Sequence, residues 1–212
     1  MGVVLKKEIE KGALLMVWEI TESEQELMDL CSLPNSEQEE LKITGSERRR
    51  KEKLAVRALL NEIFGQKVYL GYYDNGRPFL LNSIVEISIS HTSKYAAVLT
   101  HPEFNVGLDI ESVNRDFSAV EKKALSVKEI SGLRKKERNY QLAILWSAKE
   151  SIFKRMSLSN VNYAGQIEIK KFTPKDSGVL EAVFRMPGNE KESVFELKYE
   201  LFNDHIITWM VG

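Results

Sequence analysis

The chain is poor in cysteine: Cys31 is the single thiol among 212 residues. One thiol cannot close an internal disulfide, so a reducing compartment is the expected setting. No Cys-His spacing surrounds Cys31, and it reads as a small buried hydrophobe. Net charge is almost absent as well. Thirty Lys and Arg stand against 31 Asp and Glu, a formal −1, which excludes the global basic field of a nucleic-acid binder. Any pull on a charged ligand has to come from local clusters. Long apolar runs are missing: no stretch approaches the ~18 residues of a membrane span. Charges at Lys6, Lys7, Glu8, Glu10 and Lys11 break the first residues up, so no secretory leader is expected there. Lys6 also fails the acylation pattern that asks for Ser or Thr at that position. Low-complexity segments and obvious linkers are lacking. A cytoplasmic protein with neither membrane nor nucleic acid as partner is the expectation.

What the chain does have is an ordinary globular composition, with 43% hydrophobic and 29% charged residues. That is enough to bury a core without disulfides or structural metal. Apolar patterning predicts a strand over 13–20, short helices over 23–30 and 36–43, and a longer helix over 46–64 closed by Gly65. Thr21 or Ser23 would cap the first of these helices, and Asn35 or Ser36 the second. Strands follow at 68–73, 86–90, 95–100 and 106–111, with a turn at Asp74-Asn75-Gly76-Arg77-Pro78. Helical pattern returns over 117–125 and 134–156. Strands then fill the last third, at 166–172, 179–185, 194–201 and 206–211. Each half runs from helices into strands, so the expected class is α+β with two similar halves packed on each other, divided as 1–104 and 105–212.

Four constellations carry chemistry. In Val106-Gly107-Leu108-Asp109-Ile110-Glu111, strand alternation turns Val106, Leu108 and Ile110 into the core. Asp109 and Glu111 leave the other face, either as solvated groups or as carboxylates for a hard cation such as Mg²⁺. Gly107 would admit a ligand or a neighbouring strand. In Trp146-Ser147-Ala148-Lys149-Glu150-Ser151-Ile152-Phe153-Lys154, residues 146, 150 and 154 share one helical stripe. Glu150 is a third metal ligand or a base there, and Lys154 faces phosphate; the plain alternative is an exposed Glu-Lys pair. His91 ends the strand pattern Ile87-Ser88-Ile89-Ser90-His91-Thr92, where it suits a phosphate or a structural role. Arg48, Arg49, Arg50 and Lys51 open the long helix and Arg77 sits in the turn; of these, one or two could meet an anion.

The order and spacing of these segments resemble the two-lobed 4'-phosphopantetheinyl transferases, the type that activates surfactin synthetase and its relatives. That family's pattern stands here as Gly76-Arg77-Pro78, Ile89-Ser90-His91-Thr92, Val106 to Glu111 and Trp146 to Lys154. The resemblance implies a pseudo-dimer of two α/β lobes with the active site in the cleft between them, working as a monomer. It implies Mg²⁺ held by Asp109, Glu111 and Glu150 against the diphosphate of coenzyme A. It makes Asp109, Glu150 and Lys154 the catalytic set, with Lys154 on the diphosphate and the departing 3',5'-ADP. Arg48, Arg77, Ser90, His91 and Thr92 would hold the nucleotide phosphates, with Arg49 an alternative to Arg48. One departure stands out. Family members often carry Gly-x-Gly-Leu after the lysine, whereas this chain reads Arg155-Met156-Ser157-Leu158-Ser159-Asn160.

The implied reaction is attack by a serine hydroxyl of an apo acyl or peptidyl carrier protein on the β-phosphate of coenzyme A. Glu150 would serve as base. The loose basic stretch Lys122, Lys123, Lys128, Arg134, Lys135 and Lys136 either faces water or meets an acidic carrier. Two rivals remain: an inactive homologue that binds coenzyme A or a carrier, and a Mg²⁺-dependent nuclease. The second fits poorly, because its Glu-x-Lys belongs on a strand and here Glu150 lies in helical pattern.

Overall fold

The structure is a computed structural model that describes residues 2–31, 33–186 and 192–212. It is a mixed α+β fold dividing into two compact units, Met1–Val106 with Val211, and Gly107–Met210 with Gly212.

In the first unit, β1 (Val3–Glu8) and β2 (Leu14–Glu19) lead into α1 (Glu24–Cys31), α2 (Asn35–Ile43) and α3 (Glu47–Phe64). A small hairpin, β3 (Leu70–Tyr72) and β4 (Pro78–Leu80), precedes β5 (Glu86–His91) and β6 (Tyr95–His101). The main sheet has the antiparallel order β1-β2-β6-β5. Apolar residues of α3, among them Leu54, Leu59 and Leu60, pack on Met16, Ile87 and Val98. Ser23 starts α1 with a reciprocal box: its Oγ accepts from the Glu26 N–H, and the Glu26 carboxylate accepts from the Ser23 N–H. The second helix differs from expectation. Pro34 occupies the cap position and Asn35 is already helical; a missing N–H costs nothing at a helix entry, where the first amides have no intrahelical acceptor. Gly65 ends α3 with φ 61°, the left-handed geometry glycine accepts without strain. Two strands escaped the sequence reading. In β1 the charged residues interrupt any alternation, and β4 begins on the proline counted as the end of the turn.

In the second unit, β7 (Val106–Ser112) is followed by α4 (Ser118–Ala124), α5 (Val127–Ser131) and the long α6 (Arg138–Met156). A one-turn helix α7 (Tyr163–Gln166) and a short β8 (Ile167–Ile169) stand where one strand over 166–172 was expected. The Asn162 carboxamide accepts from the Gly165 N–H, which closes that helical turn and shortens the strand. Strands β9 (Ser177–Arg185), β10 (Glu192–Phe202) and β11 (His205–Val211) complete a five-stranded sheet of order β7-β11-β10-β9-β8. Helix α6 is buried on nearly all sides, and its Leu142, Leu145, Ala148 and Ile152 join Leu180, Phe184, Leu197 and Ile206 in one core. The two sheets share a path. In each unit a strand (β2 or β7) leads through helices to a terminal hairpin, and the spatial orders β2-β6-β5 and β7-β11-β10 correspond.

Candidate functional site

Gly107, Asp109 and Glu111 occupy one face of β7, and α6 covers that face. A Cβ on Gly107 would stand 2.0 Å from the Ser151 carbonyl oxygen, so glycine is required here by helix packing, not by a ligand or a strand. Covered in this way, Asp109 is only 6% exposed and Glu111 9%. The two carboxylates are therefore buried groups, in contrast to the outward-facing pair that alternation alone suggests.

Beside its apolar core contacts, α6 is tied to the sheet by a cluster of buried hydroxyls. Ser147 and Ser151 lie one turn apart, and both reach Thr208 of β11. Thr208 donates to the Ser147 carbonyl at 2.8 Å, and Ser151 donates to the Thr208 carbonyl at 3.0 Å. With 100° per residue, Glu150 and Lys154 fall beside this serine stripe, which turns them toward β7. Lys154 donates to Asp109 Oδ1 at 2.8 Å. The plain reading of an exposed Glu150–Lys154 pair thus gives way to an ion pair between helix and strand. Glu111 instead accepts from Arg115. The Arg115 guanidinium also lies 5.6 Å from the Phe117 ring centre and 5.9 Å from that of Trp146. Trp146 in turn stacks on Tyr163 at 5.4 Å.

Electrostatics tie the three acids together. Burial raises the proton affinity of Glu150, the charge of Asp109 adds to it, and Lys154 opposes it. Burial likewise raises Glu111, with Arg115 opposing and Asp109 reinforcing. Tyr163 holds its proton tightly because it is buried beside Glu150. Among the described residues, no three His, Cys, Asp or Glu side chains converge as ready-made metal ligands; Asp109 and Glu111 are held by Lys154 and Arg115. The chemistry of the three carboxylates is nevertheless of the kind a hard divalent cation takes. The set is all oxygen, desolvated and mutually repelling, and Mg²⁺ needs only one or two carboxylates when water and phosphate complete its shell.

The remaining expected site residues belong to the first unit. Arg48 and Arg49 both reach the buried Glu52, at 3.6 and 3.0 Å, so geometry does not separate them. His91 Nδ1 lies 3.3 Å from the same carboxylate. Arg77 donates to Glu86 and, at 2.6 Å, to Asn105. Ser90 is buried on β5. Thr92 organises the β5–β6 turn, its Oγ1 accepting from the N–H groups of Lys94 and Tyr95.

Sequence reasoning missed three groups of this unit: Arg115 on Glu111, Tyr163 beside Glu150, and Lys149. Lys149 belongs to the motif itself, yet it is wholly buried, donating to Glu129 and to the carbonyls of Ala124, Tyr163 and Ile167. Nothing in a linear pattern separates it from a surface lysine. The family departure also finds its form here. Ser157 and Asn160, at φ 53° and 59°, take left-handed conformations that glycine would adopt freely.

A family model described as the 4'-phosphopantetheinyl transferase superfamily matches residues 105–209. No curated protein matches the sequence.

Proposed function

The chain belongs, through residues 105–209, to the 4'-phosphopantetheinyl transferase superfamily, and from that premise we propose that it moves the phosphopantetheine arm of coenzyme A onto a serine of an apo carrier protein, as an enzyme of the two-lobed type. What supports this reading is the covered face on which Asp109 and Glu111 of β7 meet Glu150 and Lys154 of α6.

Asp109, Glu111 and Glu150 would hold Mg²⁺, which supplies charge neutralisation at a diphosphate when bound. Lys154 lies on Asp109 and can turn its ammonium to a phosphate oxygen, offsetting the charge that builds on departing 3',5'-ADP. Burial gives Glu150 a raised proton affinity, a property of a base that must take a hydroxyl proton near neutral pH. Arg48 or Arg49, Arg77, His91, Ser90 and Thr92 are the groups assigned to the nucleotide phosphates. The Lys122 to Lys136 stretch is assigned to encounter with an acidic carrier. Glu150 on a helix, and not on a strand, counts against the nuclease reading.

The test is incubation with coenzyme A, Mg²⁺ and a panel of apo-carriers, read by intact mass. A phosphopantetheine adduct is expected on at least one carrier. Glu150→Gln is expected to lower the transfer rate at least a hundredfold, the scale of a positioned general base, while far-UV circular dichroism stays unchanged. Transfer near the wild-type rate in that variant would remove Glu150 from the mechanism.

A further inference from the structure

The second unit contains a cavity of about 220 Å³ between α5, the start of α6 and the segment after β8. It is separate from the acidic face of β7: neither Asp109, Glu111, Glu150 nor Lys154 lines it. Leu133, Leu145, Ile169 and Phe172 supply apolar walls. The volume is enough for several waters, but walls of this kind favour an apolar guest over water.

Two polar groups give the cavity a direction. Gln141 lines it and is only 3% exposed. Its Oε1 accepts from the Arg134 N–H at 2.7 Å, while among the described residues its Nε2 donates to no group. The Nε2 is not sealed from water; it stands open to the cavity, where an acceptor atom on a guest can take the place of a water. Lys171 is the second group. The neighbouring Lys128 and Lys170 are both drawn to Glu168, at 2.6 and 3.5 Å. Lys171 is exposed and, among the described residues, has no ion-pair partner. Glu129 also lines the cavity, but its carboxylate is taken by Lys149, Ser126 and the Ile169 N–H.

We propose that this cavity is a binding site for a small apolar carboxylate, its tail among Leu133, Leu145, Ile169 and Phe172 and its head on the Gln141 amide and the Lys171 ammonium. The lysines disfavour a cation, and the apolar walls give an inorganic anion nothing to gain. A guest of this size is a small molecule or a single side chain. The inward amide beyond the rim favours the former, because a side chain tethered at the surface leaves Gln141 further from its carboxylate. The inference is independent of the transfer reaction.

The experiment titrates octanoate into the ¹⁵N-labelled full chain and follows amide resonances. Saturable one-to-one binding is expected, with shifts centred on residues 133, 145, 169 and 172. Acetate has the head without the tail, and octylamine the tail without the anion; neither should bind. Lys171→Glu, a surface change that leaves the fold intact, should weaken octanoate at least tenfold. Gln141→Leu, checked for folding by its spectrum, should do the same. Absence of saturable binding, shifts located elsewhere, or equal affinity in both variants would overturn the proposal. So would failure of octanoate alongside binding of an acidic leucine-containing peptide, which would make the cavity a protein-docking site.

Discussion

Lys149 shows how little a residue's neighbours in sequence say about its work. It stands beside Glu150 in a helical motif, yet it is 0% exposed and gathers four acceptors from α4, α5, α7 and β8. Burial lowers its proton affinity and the Glu129 carboxylate opposes that. Breaking such a pair from one side leaves a buried charge without its counter-charge, which costs about 3–5 kcal/mol. Lys149→Met should therefore lower the urea-unfolding free energy by that amount, and adding Glu129→Gln should recover part of the loss. An unchanged midpoint in the single variant would show that the pair contributes nothing. Ser157 makes the opposite case. Its φ of 53° strains any side chain, so Ser157→Gly should stabilise by about 0.5–1 kcal/mol, measured the same way.

At the scale of elements, legibility followed periodicity. The acidic strand β7 and the long helix α6 could be read because their patterns are strong. The burial of Asp109 and Glu111 could not, since it depends on α6 crossing their face over Gly107. Helix α5 is only five residues long and escaped notice, although Ser126 and Glu129 spell a capping box that was visible in the chain. The junction of α5, β8 and β9 is held by Glu168, which takes Lys128 at 2.6 Å and Arg185 at 2.8 Å. Hydrogen bonding from Lys128, then from Arg185, holds its carboxyl at about 2 against an ordinary 4.5. The folded value is depressed, so the junction's contribution is complete above pH 4.5 and is lost as pH falls toward 2. All three cationic partners reach solvent, and screening reduces the contribution to about 1 kcal/mol. Wild type should exceed Glu168→Gln in urea stability at pH 6, and the gap should narrow steadily between pH 4.5 and 3. A gap that holds constant to pH 3 would exclude the junction as a source of acid lability.

For the molecule as a whole, the near-zero net charge means that no diffuse field gathers ions, so any response to a divalent cation has to come from a built site. Among the described residues, buried acids repel one another at the face shared by β7 and α6. An ion that binds the folded chain and not the unfolded one stabilises by RT ln(1 + [L]/Kd), about 2.7 kcal/mol at a hundredfold excess over Kd. For a chain of this length each kcal/mol moves the melting temperature by roughly 2–4 °C. Saturating MgCl₂ should then raise it by roughly 5–10 °C over NaCl of equal ionic strength. Asp109→Asn and Glu150→Gln should each lose most of that increment, whereas Lys171→Glu should keep it. Because unfolding is read without coenzyme A or a carrier, the outcome bears on the acids alone. Equal melting temperatures in the two salts would mean that Asp109, Glu111 and Glu150 hold no ion until a phosphate arrives with it.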